Sequence, residues 1–249
     1  MLYYFLYPLA KHHTIFNVFQ YISFRTIYAA VTALVLSFLL GPILIEKLRA
    51  LKVGEVVRTD GPSSHSAKAG TPTMGGAIIL LVVTISVLLW GNLKNPYIWL
   101  LTFVTVGMGL IGFIDDYSKV IKKKGGMKAS TKFTSQFAVA LVAVLFLYYS
   151  GFDTVVAIPF FKEFTFDLKG FYIIFAVLVI VGASNAVNLT DGLDGLAIGP
   201  MTIAAATYML LAYLSGHIKI ANYLNIMHVA LAGELTVFAG AMVGASLGF

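Results

Sequence analysis

The sequence predicts an all-α polytopic membrane protein, and three observations carry that prediction. Apolar residues make up 59% of the 249 and charged ones 11%, with a mean hydropathy of +0.89, which no ordinary soluble domain shows. Apolar runs recur along the whole chain, long enough to cross a hydrocarbon core of about 30 Å. Lys and Arg fall between those runs rather than in a basic domain of their own. About seven spans are read in all, within a single membrane domain covering 1–249 and with no separate soluble domain.

Taken in order, residues 1–23 are aromatic-rich and mixed, an interfacial lead-in. The first span covers about Phe24–Ile45, and the polar segment Glu46–Gly70 follows it. Pro72 opens the second span, about Thr73–Trp90, because proline is tolerated in a first helical turn. Asn92–Pro96 is a tight turn. The third span, about Tyr97–Ile114, runs directly into Asp115-Asp116 and then a basic loop, Lys119 to Lys132, that contains Gly125-Gly126. The fourth span is about Phe133–Tyr149. Two β-favouring runs, Thr154–Ile158 and Glu163–Leu168, flank Pro159–Lys162, which predicts a small external hairpin near 153–168. The fifth span, about Phe171–Ala186, delivers the stretch Asn188–Ala197, and the sixth is about Leu196–Leu214. After a polar loop from Ser215 to about His228, the seventh begins near Val229 and is still apolar at Phe249. A chain cut inside a membrane helix would end this way, so a longer polypeptide is expected.

Charge sets the orientation. Of the 17 Lys and Arg, eleven lie after spans one and three: Lys47, Arg49, Lys52, Arg58 and Lys68, then Lys119, Lys122, Lys123, Lys124, Lys128 and Lys132. The remaining six lie on the opposite side. Positive-inside reasoning puts the larger set in the cytoplasm and the N-terminus outside. Lys68, Asp115, Asp116, Lys132, Asn185, Asn188, Asp191 and Asp194 then converge on one face, which hydropathy alone does not require. The same distribution explains a pI of 9.4 and a net charge of +6 without nucleic acid as partner. Zero cysteines exclude disulfides, thiolate catalysis and Cys-ligated zinc. The N-terminus lacks the basic start and small-residue cleavage site of a removable signal peptide.

Within that face, Asp115-Asp116 is read at the C-terminal end of the third helix, where the dipole disfavours anions. Two adjacent carboxylates also repel unless a cation lies between them. A plain helix-end pair facing water is the bland alternative; a magnesium ion or a basic neighbour would relieve both penalties. Neighbouring residues point about 100° apart, so the two aspartates are free to do different jobs. Asp191 and Asp194 share a face if span six begins helical there, and each is followed by a glycine that lets backbone approach a ligand. Capping by Asp191 accounts for one carboxylate but not for the second, nor for Asn185 and Asn188 before them. Broken helix ends lining a polar cavity are where irregular membrane backbone is tolerated. Lys68 precedes a helix start whose free amides favour an anion. Lys132 stands at the start of span four, one turn before Gln136. Lys122–Lys124 reads as a topology determinant in contact with anionic membrane lipids, and Glu234 as structural. His65 reads as a loop histidine, and the other four receive no role. Clustered Asp, Lys and Asn on one face suit magnesium-assisted phosphoryl transfer, in which catalysis is mostly positioning and charge neutralisation.

Three motifs carry a resemblance across essentially the whole chain: Thr71-Pro72-Thr73-Met74-Gly75-Gly76, Gly112-Phe113-Ile114-Asp115-Asp116-Tyr117, and Asn185 through Ala197. They closely resemble the phospho-N-acetylmuramoyl-pentapeptide-transferase family, within the polyprenyl-phosphate N-acetylhexosamine-1-phosphate transferases. The resemblance implies a bacterial inner-membrane enzyme, expected as a homodimer, with about ten spans in complete members. Such an enzyme transfers phospho-MurNAc-pentapeptide from UDP-MurNAc-pentapeptide to undecaprenyl phosphate, giving lipid I and UMP with Mg2+, the first membrane step of peptidoglycan synthesis. By the same resemblance Asp115 and Asp116 are the catalytic pair, one near the metal and one near the lipid phosphate. Lys68, Asp191, Gly192 and Asp194 match positions around the nucleotide pocket. Lys132 and Asn185 match polar residues of the same cleft, and Thr73 and Asn188 join them as substrate-binding residues. The family's principal metal-binding aspartate belongs to a later motif, so a polypeptide of only 249 residues is expected to be inactive. Two other readings are weaker. A related UDP-HexNAc transferase would share the aspartates, and a membrane transporter would place carboxylates near the midplane rather than at one interface. An intramembrane aspartyl protease would need them deep inside two spans.

Overall fold

The computed structural model of the chain describes residues 1–50, 75–120, 126–158, 161–190 and 196–249. After a short helix α1 (Leu2–Leu6) and two 3-10 turns (Tyr7–Lys11, Thr14–Gln20) come α2 (Ile22–Ala50), α3 (Gly76–Trp90), α4 (Pro96–Val120) and α5 (Ala129–Tyr149). An antiparallel pair follows, β1 (Val155–Ile158) with β2 (Phe161–Asp167), then α6 (Phe171–Thr190), α7 (Ile198–Ser215), α8 (Ile218–Leu224), a 3-10 turn (Ala232–Glu234) and α9 (Leu235–Gly248). The protein is an all-α polytopic membrane protein with one small hairpin. Among the described residues, α2, α4, α5, α6 and α7 are long and apolar enough to cross a bilayer, while α3 and the segment Ala232–Gly248 are shorter apolar helices.

These helices are apolar on every side, as membrane helices are. Val31, Leu39, Phe103, Leu178 and Ile203 point outward and are exposed, and lipid is the solvent that suits them. Helix association in lipid relies on close packing of small residues. On α9, Gly240, Gly244 and Gly248 recur every fourth residue against α2. A Cβ at Gly240 would meet Thr26 Cγ2 at 2.7 Å, one at Gly244 would strike the Ala30 backbone, and one at Gly248 would lie 2.5 Å from Ser37 Cβ. The main apolar core forms there, with Ala29 and Ala33 of α2, Val82 and Val87 of α3, and Ala241 and Ala245 of α9. A second cluster joins α5 and α6 through Ala140, Val144, Val177 and Val181.

Helices alternate direction, which gives the bundle two ends. At the Trp90 end, Arg25 of α2 grips Glu234 by two parallel bonds, Nη1 to Oε2 at 2.8 Å and Nη2 to Oε1 at 2.6 Å. Both residues are buried. Arg25 also donates to the Trp90 carbonyl at 3.4 Å, and the Asn92 amide donates to Glu234 at 3.3 Å. Two charges buried together need each other, so the pair fixes where α2, the end of α3 and the start of α9 meet. The structural role read for Glu234 holds, though it lies in the turn before the helix rather than within it. The opposite end gathers the last turns of α4, the start of α5 and the end of α6.

Candidate active site

The third helix does not stop at Asp115-Asp116, as the sequence suggested, but continues to Val120. The reason is local. Lys119, four residues after Asp115 and three after Asp116, places its Nζ 2.9 Å from Asp115 Oδ2 and 3.1 Å from Asp116 Oδ1. Acidic residues N-terminal to a lysine at these spacings support a helix, so the pair is carried through rather than ending it. The dipole penalty of a helix end is correspondingly weaker here, since it falls off beyond the last turn.

The two aspartates diverge as helical neighbours must. The Asp115 side chain is 8% exposed and the Asp116 side chain 42%. Asp115 points toward the start of α5, where the Met127 amide donates to its Oδ1 at 2.8 Å and the Lys132 ammonium reaches its Oδ2 at 3.3 Å. Gly126 makes that approach possible. Its φ of +82° is the left-handed conformation glycine favours, and a Cβ there would lie 2.8 Å from Asp115 Oδ1. The chain therefore passes against the carboxylate and turns an N–H onto it. Lys132 belongs to the first turn of α5, which begins at Ala129, four residues before the sequence placed the span. One turn on, buried Gln136 accepts a bond of 2.8 Å from Asn185 Nδ2, which also donates to Val181 O at 2.9 Å. A polar file thus runs from α4 through α5 to α6: Asp115, Lys132, Gln136, Asn185.

Of the residues singled out in the sequence, Asp115, Asp116 and Lys132 come together, and Asn185 is bonded to Gln136, one helical turn along α5 from Lys132. Asn188 is exposed on α6, which runs on through both asparagines to Thr190. Lys68, Thr73, Asp191, Gly192 and Asp194 lie outside the described residues. Sequence reasoning left Lys119, Gly126 and the Met127 amide without a role, and gave Gln136 only its spacing from Lys132. The i+3 and i+4 spacing of Lys119 from the aspartates was the signal that could have found the first.

The donor set is hard: carboxylate oxygens already holding a cationic group between them. Magnesium takes such ligands, typically one or two carboxylates with the rest from water and substrate phosphate, so Asp115 and Asp116 fit it. Among the described residues there is no group of three His, Cys, Asp or Glu that could hold a metal. What the arrangement offers is a place where anionic oxygens and cations exchange partners.

Comparison with known proteins identifies the family. The family model Glycosyl transferase family 4 matches residues 98–249, and the phospho-N-acetylmuramoyl-pentapeptide-transferase signature 1 matches residues 68–80. The phospho-N-acetylmuramoyl-pentapeptide-transferase of Desulfatibacillum aliphaticivorans is 57% identical over 252 residues, all of this chain and 70% of the relative. Those of Syntrophus aciditrophicus and Citrifermentans bemidjiense are 54% and 53% identical, each again over the whole chain and 70% of the relative. This chain belongs to the phospho-N-acetylmuramoyl-pentapeptide-transferase family, a family of glycosyl-1-phosphate transferases.

Proposed function

We propose that this protein transfers phospho-MurNAc-pentapeptide from UDP-MurNAc-pentapeptide to undecaprenyl phosphate, releasing UMP, at the cytoplasmic face of a bacterial inner membrane. The observation that carries the reading is the Asp115-Asp116 pair, one carboxylate buried against two lysines and an amide, the other open to solvent. Both substrates are anionic phosphates, and phosphoryl transfer asks the protein mainly to position them and neutralise charge. Lys132, at the mouth of the polar file, and the N-terminal end of α5 supply positive potential for the diphosphate. Magnesium, held by Asp115 and Asp116, would add charge stabilisation of the diphosphate. Asp116, the more exposed of the two, is the one placed to meet the acceptor. An oxygen of the lipid phosphate bonds to the sugar-linked phosphorus as the bond to UMP breaks, and any acceptor proton passes to Asp116. The excess of Lys and Arg in the segments at this end supports the cytoplasmic assignment.

The test is magnesium-dependent UMP release by the protein purified from its native membrane, given UDP-MurNAc-pentapeptide and a polyprenyl phosphate. Release that disappears in Asp115→Asn and Asp116→Asn supports the reading. Turnover of UDP-GlcNAc in preference to the muramoyl donor would move the protein to the related branch. No UMP from either donor would sink it.

A further inference from the structure

The hairpin between α5 and α6 is tied to the membrane spans on both sides. The Phe152 amide donates back to Leu147 O of α5 at 3.2 Å, and the Phe171 amide, which opens α6, donates to Leu168 O at 2.9 Å. The Leu168 amide closes the base by donating to Thr154 O at 3.2 Å. The Phe152 ring packs edge-on against Tyr97 and tilted against Tyr172, with ring centroids 6.2 Å apart in both pairs. The base therefore sits level with the first turns of α4 and α6, and aromatic rings at such a level are interfacial anchors.

Above that base the two faces of the hairpin differ. Side chains alternate along a strand, and directly paired residues point the same way. Val156 pairs with Phe166 on one face, while Ala157–Thr165 and Val155–Asp167 lie on the other. Asp167 there accepts from the Thr154 hydroxyl and the Lys169 amide. On the apolar face the Phe166 side chain is 51% exposed, and Phe164, two residues nearer the tip, is exposed as well. A two-stranded hairpin is marginal in water and gains stability when an apolar face packs on something. Reach decides on what. Phe166 stands one residue, about 3 Å, from the end of β2. The headgroup layer of a bilayer is about 5–7 Å deep on each side, so a ring this close to two span ends stays within it.

We infer that the hairpin lies on the bilayer surface at the Trp90 end, with the Val156–Phe166 face in lipid and the Thr165 face in water. The partner of this surface is the lipid of that leaflet. Lys169, exposed beside the base, offers its cation to lipid phosphates.

Neighbouring labels on opposite faces test it. The 249 residues contain no cysteine, so Phe166→Cys and Thr165→Cys can each carry one nitroxide in a background free of other cysteines. The full polypeptide is reconstituted in vesicles of phosphatidylethanolamine and phosphatidylglycerol. Collisions with oxygen, which concentrates in lipid, are compared with collisions with a water-soluble nickel chelate by EPR. The oxygen-to-nickel ratio is expected to be at least about threefold higher at 166 than at 165. Phe164→Cys gives a second reading on the apolar side should Phe166→Cys fail to fold. Equal nickel access at 165 and 166 overturns the proposal, because both faces then stand in water. A label at 166 shielded from oxygen and nickel alike overturns it too, because protein then covers the face: a further part of the polypeptide or a second copy.

Discussion

At the Trp90 end of the bundle a guanidinium and a carboxylate meet one to one, through two parallel bonds, with 2% of the Arg25 side chain and 11% of the Glu234 side chain exposed. At the other end Asp115 is divided between two ammonium groups and an amide, and one of those ammonium groups is half in solvent. Both ends place a carboxylate out of water beside cations, yet the contacts differ in kind. The Arg25–Glu234 fork satisfies both partners in a single geometry and has nothing to exchange, which is how a charge pair fixes the meeting of helices. The Asp115 set is a loose association of point charges whose members can leave and be replaced, which is what a site handling phosphates and a metal needs.

Breaking the closed end should cost most. Arg25→Met or Glu234→Gln leaves an uncompensated buried group, and a loss of about 3–5 kcal/mol is expected. It would be read as a sharp drop in the apparent melting temperature in detergent. Replacing both together, Arg25→Met with Glu234→Met, should recover most of that loss. Single variants that melt like wild type would mean the fork does not hold the helices.

At the open end the larger effect should be on rate. Asp115→Asn and Asp116→Asn are each expected to lower UMP release at least about 100-fold, equivalent to about 2.7 kcal/mol of transition-state stabilisation. Their melting temperatures should fall less than that of Glu234→Gln, least of all for the exposed Asp116. If Asp115→Asn instead destabilised the protein as much as Glu234→Gln, the two ends would be the same kind of device.

The turn that brings backbone onto Asp115 gives a smaller, mixed effect. Gly126→Ala forces a side chain into the left-handed region at about 1–2 kcal/mol and sets its Cβ against Asp115 Oδ1. A melting shift of that size is expected, together with a roughly tenfold drop in UMP release as the Met127 amide is pulled from the carboxylate. A stability loss with unchanged turnover would show that this amide has no part in setting up the site.

Much of this was legible from the residues. Hydropathy found the apolar helices, though it stopped short of the end of α4 and started the last one before Leu235, and β-favouring runs around Pro159 located the hairpin, because apolar runs and strand propensity are both local signals. Charge patterning also brought Asp115, Asp116 and Lys132 into one constellation. Where α4 ends was not legible: hydropathy stops at the first carboxylate, whereas the helix is continued by Lys119 answering the aspartates one turn back. Nor was Arg25 readable as the partner of Glu234, since 209 positions separate them and only the packing of α9 on α2 joins them. The glycines of α9 that permit this packing look, in sequence, like any small residues in an apolar run.

The smallest expected effect concerns the bond between Gln136 and Asn185, the one neutral link in the polar file. Gln136 is buried, and burial alone would argue for a bond that rivals the Arg25–Glu234 fork. Polar links between membrane helices are generally weaker than that, averaging about 0.6 kcal/mol, because the separated helices find other partners. Asn185 has such a partner already in the Val181 carbonyl of its own helix, 2.9 Å away. A double-mutant cycle on Gln136→Leu and Asn185→Leu, read by melting in detergent, should therefore give a coupling of about 0.6 kcal/mol. The same cycle on Arg25 and Glu234 should give several times more. A Gln136–Asn185 coupling as large as that of the charged fork would show that the open end is locked too, and that its capacity to exchange partners is confined to the lysines around Asp115.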